Sequence, residues 1–351
     1  MKRNMSLVAG VCGIGVLIAV FVWQHTSRIQ PKSERVLRIA IAPYQDLAML
    51  VNAESTGEYK RRGIKLQLLT MGWEEILPAV ASAGPTVDVG FGSYVEYLTK
   101  YSKLNVGSGD PVIYFQPLYV YKGGGFIALR KDIKPFSASD LCSAEQIARL
   151  RRFRIGAQKE SLYDMMIYSV AARGGLRSTD LQVFDTPMND GLLALQAGSL
   201  DISAAGLTQV TEVEKRGGRI VISMEDAGFA DVTGFICRKS TLETRRADLE
   251  ALVEMWFASV DYVMSDLRKN SAKSLAYLRA NAATQYSFDE YKRALSQELL
   301  PRSTEDLRRE VLAKGAKYDF IRIGNEINAY LVANKVVAKP TELPRPLLGA
   351  R

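Results

Sequence analysis

Beyond about position 35 the chain alternates short apolar runs with amphipathic stretches, and glycine or proline closes most of them. Val36 to Ala42 (Val-Leu-Arg-Ile-Ala-Ile-Ala) is β-rich, ends at Pro43 and predicts a first strand. Asp46 to Arg62 has helical spacing, with Gly63 placed to cap its C-terminus. Ile64 to Thr70 alternates and predicts a second strand, and Glu74 to Ala83 predicts a helix stopped by Gly84-Pro85. A short third strand, Val87 to Phe91, leads into a helix over Ser93 to Ser102. Strand–helix repeats of this kind specify a parallel sheet of βαβ units.

A glycine break at Gly123-Gly124-Gly125 precedes a strand over Phe126 to Arg130, and Phe153 to Ala157 opens a second series. Its members are a helix at Ser161 to Arg173, a strand at Leu181 to Phe184, a helix at Gly191 to Gln196 and a strand at Leu200 to Ala204. Ile220 to Ser223 and Gly234 to Arg238 are further strands. From Ala247 the spacing is helical to about Ala333, and the tail from Lys339, with Pro340, Pro344 and Pro346, is expected to be extended or mobile. The pattern describes an α/β body with two similar halves.

The first 35 residues differ in kind. Met5 to Trp23 is an uncharged, mostly apolar run of 19 residues behind Lys2 and Arg3, close to the roughly 20 needed to span a bilayer. It lacks the small-residue pair of a cleavage site, so it favours an uncleaved anchor, with residues 1–4 in the cytoplasm, over a cleaved signal sequence; either way the body is exported. Residues 24–35, polar and containing Pro31, read as a tether. Half of the net charge of +8 lies in this segment, where Lys2, Arg3, Arg28, Lys32 and Arg35 face only Glu34. The body is thus mildly basic, and its one dense basic run, Arg149 to Arg154, reads as a solvated helix end rather than a nucleic-acid patch.

The single histidine, His25, falls before the body, which removes histidine-dependent triads, dyads and metal sites from it. Cys142 and Cys237, far apart in sequence, are expected to be separate buried thiols. No cofactor or metal is called for.

The order of these pieces resembles the taurine, sulfonate and nitrate substrate-binding proteins of ABC importers. The resemblance is carried by Leu37-Arg-Ile-Ala-Ile-Ala with Tyr59-Lys-Arg-Arg-Gly-Ile-Lys-Leu, and by two Gly-x-x-Asp-type segments. The first segment is Ala79-Val-Ala-Ser-Ala-Gly-Pro-Thr-Val-Asp-Val-Gly-Phe-Gly-Ser, and the second is Gly191-Leu-Leu-Ala-Leu-Gln-Ala-Gly-Ser-Leu-Asp-Ile. The resemblance implies a two-lobed type II periplasmic-binding-protein fold. One lobe would comprise 36–121 plus 232–333, the other 122–231, with 334–351 as a C-terminal tail. The two crossovers, near Lys122 to Gly125 and Asp231 to Gly234, would form the hinge.

In such a fold, ligand contacts come from the carboxyl ends of strands and from helix N-termini. That rule selects Tyr44 and Gln45 after the first strand, Trp73 after the second, and Gly92, Ser93 and Tyr94 after the third. In the second half it selects Gln158, Ser161, Met188, Gly206 and Thr208, with Asp231 and Thr233 beside the returning crossover. Many taurine-type relatives carry a Trp or an acid in the loop that is Ala204 to Thr208 here, which suggests a larger or less cationic ligand than taurine.

The implied function is capture of a small anionic or zwitterionic, sulfonate-, nitrate- or pyrimidine-like solute. The protein would be a monomer that hands it to a membrane permease and its ATPase. A ligand-sensing exported module is the alternative. An enzyme like the thiamine-pyrimidine synthases is disfavoured, because that branch carries a cysteine-rich motif and an active-site histidine.

Overall fold

The computed structural model describes residues 35–82, 86–105, 107–282 and 285–348. The expectations for the cytoplasmic stub, the membrane anchor, nearly all of the tether and His25 lie outside the described residues. Among the described residues no helix is long and apolar enough to cross a membrane.

Eleven strands form two sheets. The first sheet takes β1 (Arg35–Ile41), β2 (Ile64–Thr70), β3 (Val89–Ser93), β4 (Val112–Tyr121), β10 (Asp231–Arg238) and β11 (Glu298–Leu299), in the order β11-β4-β10-β3-β1-β2. The second takes β5 (Gly125–Ala128), β6 (Arg154–Ala157), β7 (Gln182–Asp185), β8 (Ile202–Ala205) and β9 (Arg219–Ser223), in the order β7-β6-β8-β5-β9. Each sheet centres on a strand with parallel neighbours on both sides: β1 between β2 and β3, and β6 between β7 and β8. An antiparallel strand then joins each triplet, β10 beside β3 and β5 beside β8. The chain passes to the second sheet between β4 and β5 and returns between β9 and β10.

Helices α1 (Trp73–Ala81), α2 (Tyr94–Asn105), α3 (Leu162–Arg173), α4 (Met188–Gln196) and α5 (Leu207–Lys215) each follow a parallel strand. Helices α6 (Arg246–Ser265) and α7 (Phe320–Ala333) back the first sheet: Trp256 of α6 lies edge-on to Phe91 of β3, and Phe320 of α7 stacks on Tyr114 of β4.

The two Gly-x-x-Asp segments turn out to do the same structural job. Asp88, just before β3, accepts the backbone N–H of Arg38 at 2.9 Å and its guanidinium through Nε and Nη2, each at 3.0 Å. Asp201, just before β8, accepts the same three groups of Arg154 at 2.9, 3.1 and 3.0 Å, and Arg130 Nη1 at 2.7 Å. Each aspartate also donates its own N–H to the carbonyl of the same arginine at 2.9 Å. The carboxylate thus extends the ladder by which the third strand of each triplet is held to the first. The arginine neighbours hold both carboxyls below the usual range, Asp201 down to about 2.

Four expectations need correction. The stretch 46–62 is not one helix: a 3₁₀ turn (Leu47–Asn52) and a short helix (Glu58–Arg62) are separated by Gly57 at φ +75°. Gly63 does cap as expected, at φ +61° with its N–H on Tyr59 O. The ten-residue β4 went unread because Pro117 interrupts it; proline lacks the N–H of a ladder, and the register with β10 shifts around that residue. Cys142 is free but exposed, while Cys237 is free and buried. The tail is extended yet pinned: Leu347 N–H meets Phe115 O, and Leu348 N–H meets Gln116 Oε1, both at 2.8 Å.

Asp201→Asn should cost about 2 kcal/mol at neutral pH, the scale of hydrogen bonds to a charged group. Because the folded-state carboxyl titrates below the unfolded value of about 3.9, its contribution is present above that pH and fades as pH falls towards 2. Chemical denaturation of wild type and variant at pH 7 and pH 2.5 checks this; an equal difference at both values refutes it.

Candidate functional site

The antiparallel partners bring the N-terminal end of β10 and the C-terminal end of β4 to the carboxyl ends of the parallel strands, with Thr233 opposite Ser93 and Asp231 opposite Tyr121. A cavity opens there, walled by both sheets. It holds about 700 Å³ of atom-free space including its mouth, the scale of a small-solute site.

Eleven of the thirteen residues singled out in the sequence line this one cavity. Tyr44 and Gln45 follow β1, Trp73 opens α1, Ser93 ends β3, and Asp231 and Thr233 come from β10. From the second sheet come Gln158 after β6, Ser161 at the start of α3, Met188 opening α4, and Gly206 and Thr208 after β8. Gly92 and Tyr94 do not line it. They flank Ser93, and neighbours along an extended backbone point to opposite faces. A side chain at Gly92 would run into Ile236, and Tyr94 is fully buried with its ring stacked on Phe320 at 4.2 Å.

Ser93 and Ser161 cap their helices, accepting the N–H of Glu96 at 3.1 Å and of Asp164 at 3.3 Å. The Ser161 hydroxyl keeps its proton to donate, whereas that of Ser93 hydrogen-bonds the Asp231 carboxyl. The Trp73 ring lies 6.0 Å from that of Tyr44, and its indole N–H donates to Glu96 Oε1 at 3.3 Å. The Tyr121 and Tyr163 hydroxyls meet at 3.1 Å across the two sheets, and Tyr286 donates to Thr208 Oγ1 at 2.9 Å.

The sequence reading missed Asp46, Glu96, Leu162, Tyr119, Tyr121, Tyr163, Ala204 and Gln209 in the wall. Tyr119 and Tyr121 lie on the unread β4. Asp46, Glu96, Leu162, Tyr163 and Gln209 sit one to three residues beyond positions the strand-end rule selected, so a full helical turn past each strand would have found them.

The electrostatics are one-sided. Asp46, Glu96 and Asp231 line the cavity, and among the described residues no lysine or arginine does. The loop Ala204 to Thr208 is uncharged as noted, so all three carboxylates come from other elements. Asp231 is buried; its Oδ1 accepts the Val95 N–H at 3.2 Å, and burial pushes its carboxyl up to about 7 against the pull of the Ser93 and Val95 hydrogen bonds. Asp46 accepts the Tyr119 hydroxyl and the Leu47 N–H (2.9 Å). Behind the wall, Glu298 accepts Gln45 Nε2 at 2.8 Å. Burial raises both Asp46 and Glu298, and their mutual repulsion raises Glu298 further.

The model of NMT1-like proteins matches residues 30–278. The chain belongs to the NMT1-like family. Solved structures agree on the fold. A putative sulfonate ABC transporter periplasmic sulfonate-binding protein from Methylobacillus flagellatus KT superposes with a TM-score of 0.60 at 17% identity, covering 89% of this chain and 92% of its own. The periplasmic nitrate-binding protein from Synechocystis PCC 6803 gives 0.57 at 14%, covering 88% and 93%. The desulfurization enzyme DSZB gives 0.56 at 16%, covering 89% and 96%, so this periplasmic-binding-protein fold also carries catalysts. A search of curated proteins finds no match. At such identities the likeness of this NMT1-like chain to solved structures is one of architecture.

Asp231 yields a pH prediction. Its folded pKa near 7 exceeds the unfolded value of about 3.9, so its contribution is greatest below pH 4 and declines as pH rises to 7. Asp231→Asn removes that titration while keeping an oxygen for Val95 N–H. The melting temperature of the variant relative to wild type should therefore rise steadily from pH 4 to pH 7.5. A difference that stays flat across this range sinks the assignment.

Proposed function

We propose that the protein is the solute-binding component of an ABC importer. It captures a small organic solute between two lobes and delivers it to a membrane permease driven by an ATPase. The cavity walled by both sheets, with only two chain crossings between them, carries this reading. The lobes would be residues 36–121 with 232–333, and residues 122–231.

The crossings at 122–125 and 231–234 would act as the hinge. Gly124 and Gly125 sit at φ +76° and +146°, which side-chain-bearing residues rarely adopt, and a Cβ at Gly125 would lie 2.0 Å from Ile222 O. Backbone of this kind suits a fixed pivot with changing torsions at its ends. Contacts at the rim between the first-sheet body and α5 hold the cleft closed: Lys215 to Glu290 at 3.2 Å and Arg293 to Glu214 at 2.8 Å. They are exposed ion pairs, each worth at most about 1 kcal/mol, and they add to the Tyr121–Tyr163 and Tyr286–Thr208 hydrogen bonds between the same two parts.

The sulfonate and nitrate named for structural neighbours, with the free hydroxyl of Ser161, put anions and zwitterions in the starting panel, beside the cations that an acidic wall admits. The protein would work outside the cytoplasm as a monomer, held to the membrane by residues 5–23. No covalent chemistry is assigned to it.

A thermal-shift screen of the purified protein against sulfonates, nitrate, pyrimidines, amines and amino acids tests this. A true ligand at a hundredfold excess over its Kd should stabilise the fold by about 2.7 kcal/mol. Trp73→Ala, which removes an aromatic wall, should weaken binding about tenfold. A folded protein that no class stabilises would refute solute binding at this cleft.

A further inference from the structure

Resting on the solute-binding reading, the charge and hydrogen-bond inventory of the same cavity defines what it takes. We propose that the solute is a small organic cation bearing N–H donors, a primary ammonium or a guanidinium, seated against Asp231 and Glu96 with its carbon frame on Trp73 and Tyr44.

Three observations carry this. First, every ionisable side chain of opposite sign that could neutralise an anion is missing from the wall as described, whereas Asp46, Glu96 and Asp231 are in it. Among the described residues neither Asp46 nor Asp231 forms an ion pair; their partners are hydroxyls, backbone N–H groups and, for Asp46, the Glu298 carboxyl. Glu96 has Lys100 at 3.7 Å, one turn along the same helix and away from the wall.

Second, the fully buried polar atoms of the wall that lack any partner are acceptors. Gln45 and Gln209, at 2% and 8% exposure, each commit an amide N–H, to Glu298 and Asn189 (2.8 and 3.1 Å). Their carbonyl oxygens, Oε1 in each, are buried without a donor. A buried acceptor left unmatched is costly, and a ligand that brings N–H groups relieves it.

Third, the helix N-termini that would otherwise favour an anion are largely served from within. The N-terminal N–H groups of α2 go to Asp231 and Ser93, and Gly72 N–H ahead of α1 goes to Glu75 at 2.7 Å. In the second half Ser161 takes an N–H of α3, and Gly206 N–H lies 3.0 Å from the Met188 sulfur. A helix end offers about half a unit of positive charge, already spent here on the chain's own acceptors, while each ionised carboxylate offers a full negative unit. A cation over the Trp73 face also gains from the ring quadrupole.

The test is isothermal titration of the full chain at pH 8 with three sets of probes: putrescine, agmatine and phenethylamine; choline, a cation without N–H; and ethanesulfonate, nitrate and 4-aminopyrimidine. The proposal expects saturable binding of at least one amine or guanidine, weaker or absent binding of choline, and no binding of the anions. Asp231→Asn and Glu96→Gln, each verified as folded by circular dichroism, should each weaken the bound cation by about tenfold or more.

Saturable binding of an anion or of the neutral heterocycle without any cation overturns the charge assignment and leaves the solute-binding reading standing. Choline bound as tightly as the amines overturns the demand for N–H donors. Cation affinity unchanged in both variants places the ligand elsewhere and overturns the proposal. Silence from every probe in both this titration and the broader thermal screen refutes solute binding itself, and the inference falls with it.

Discussion

In both sheets the carboxylate that opens the third parallel strand reaches back to the first, where it takes a backbone N–H and two edges of an arginine guanidinium. A backbone N–H···O bond would hold those strands at one point; the aspartate adds three, two of them charge-assisted and bidentate in form. The strand so fixed is the one whose carboxyl end supplies Ser93 in one half and Gly206 in the other. Everything the cavity presents is positioned relative to these triplets, because parallel strands held in register deliver their ends to one edge. The conspicuous aspartates of the two repeated segments are therefore scaffold outside the cavity wall, while the acids that do line the cleft come from unrepeated positions.

The two sheets obey the same plan yet the cleft is not symmetric. The first-sheet side brings Asp46, Glu96 and Asp231 together with Trp73, Tyr44, Tyr119 and Tyr121; the second-sheet side brings Gln158, Ser161, Tyr163, Thr208 and Gln209. Charge and aromatic surface sit on one wall, neutral hydrogen-bonding groups on the other. A repeated scaffold thus carries an unequal division of labour, with one wall suited to hold the solute's charged end and the other to close over it.

How much of this could be read from the chain follows from what each signal measures. Alternation and glycine punctuation located β1, β2 and the second-half series, because those elements depend on local burial. They failed at β4, where Pro117 mimics a breaker but occupies an irregularity tolerated by the pairing with β10, and at 46–62, where Gly57 in a left-handed turn splits a stretch of helical spacing. The strand-end rule found most of the wall because in this topology position along the strand decides which residues face the cleft. It erred at Gly92 and Tyr94, where three consecutive residues were taken although only the middle one, Ser93, can face inward. The sign of the cleft's charge was out of reach: it arises from residues of β10, the first turn of α2 and the turn after β1, which share no sequence window.

Buried acids without cationic partners are costly, since desolvating a carboxylate is repaid only by good counter-charge or by protonation. In the closed cleft Asp231, Asp46 and Glu298 answer that cost by being raised, Asp231 to about 7. On the two-lobe reading an ionised Asp231 would work against closure of an empty cleft, while the exposed rim ion pairs and the Tyr121–Tyr163 and Tyr286–Thr208 hydrogen bonds would favour it. On the proposed two-lobe reading, a solute that supplies the counter-charge would favour the closed arrangement in proportion to what it relieves. On that reading a wall of neutral groups would gain nothing from a ligand's charge, whereas carboxylates without a buried cationic partner would make closure depend on it.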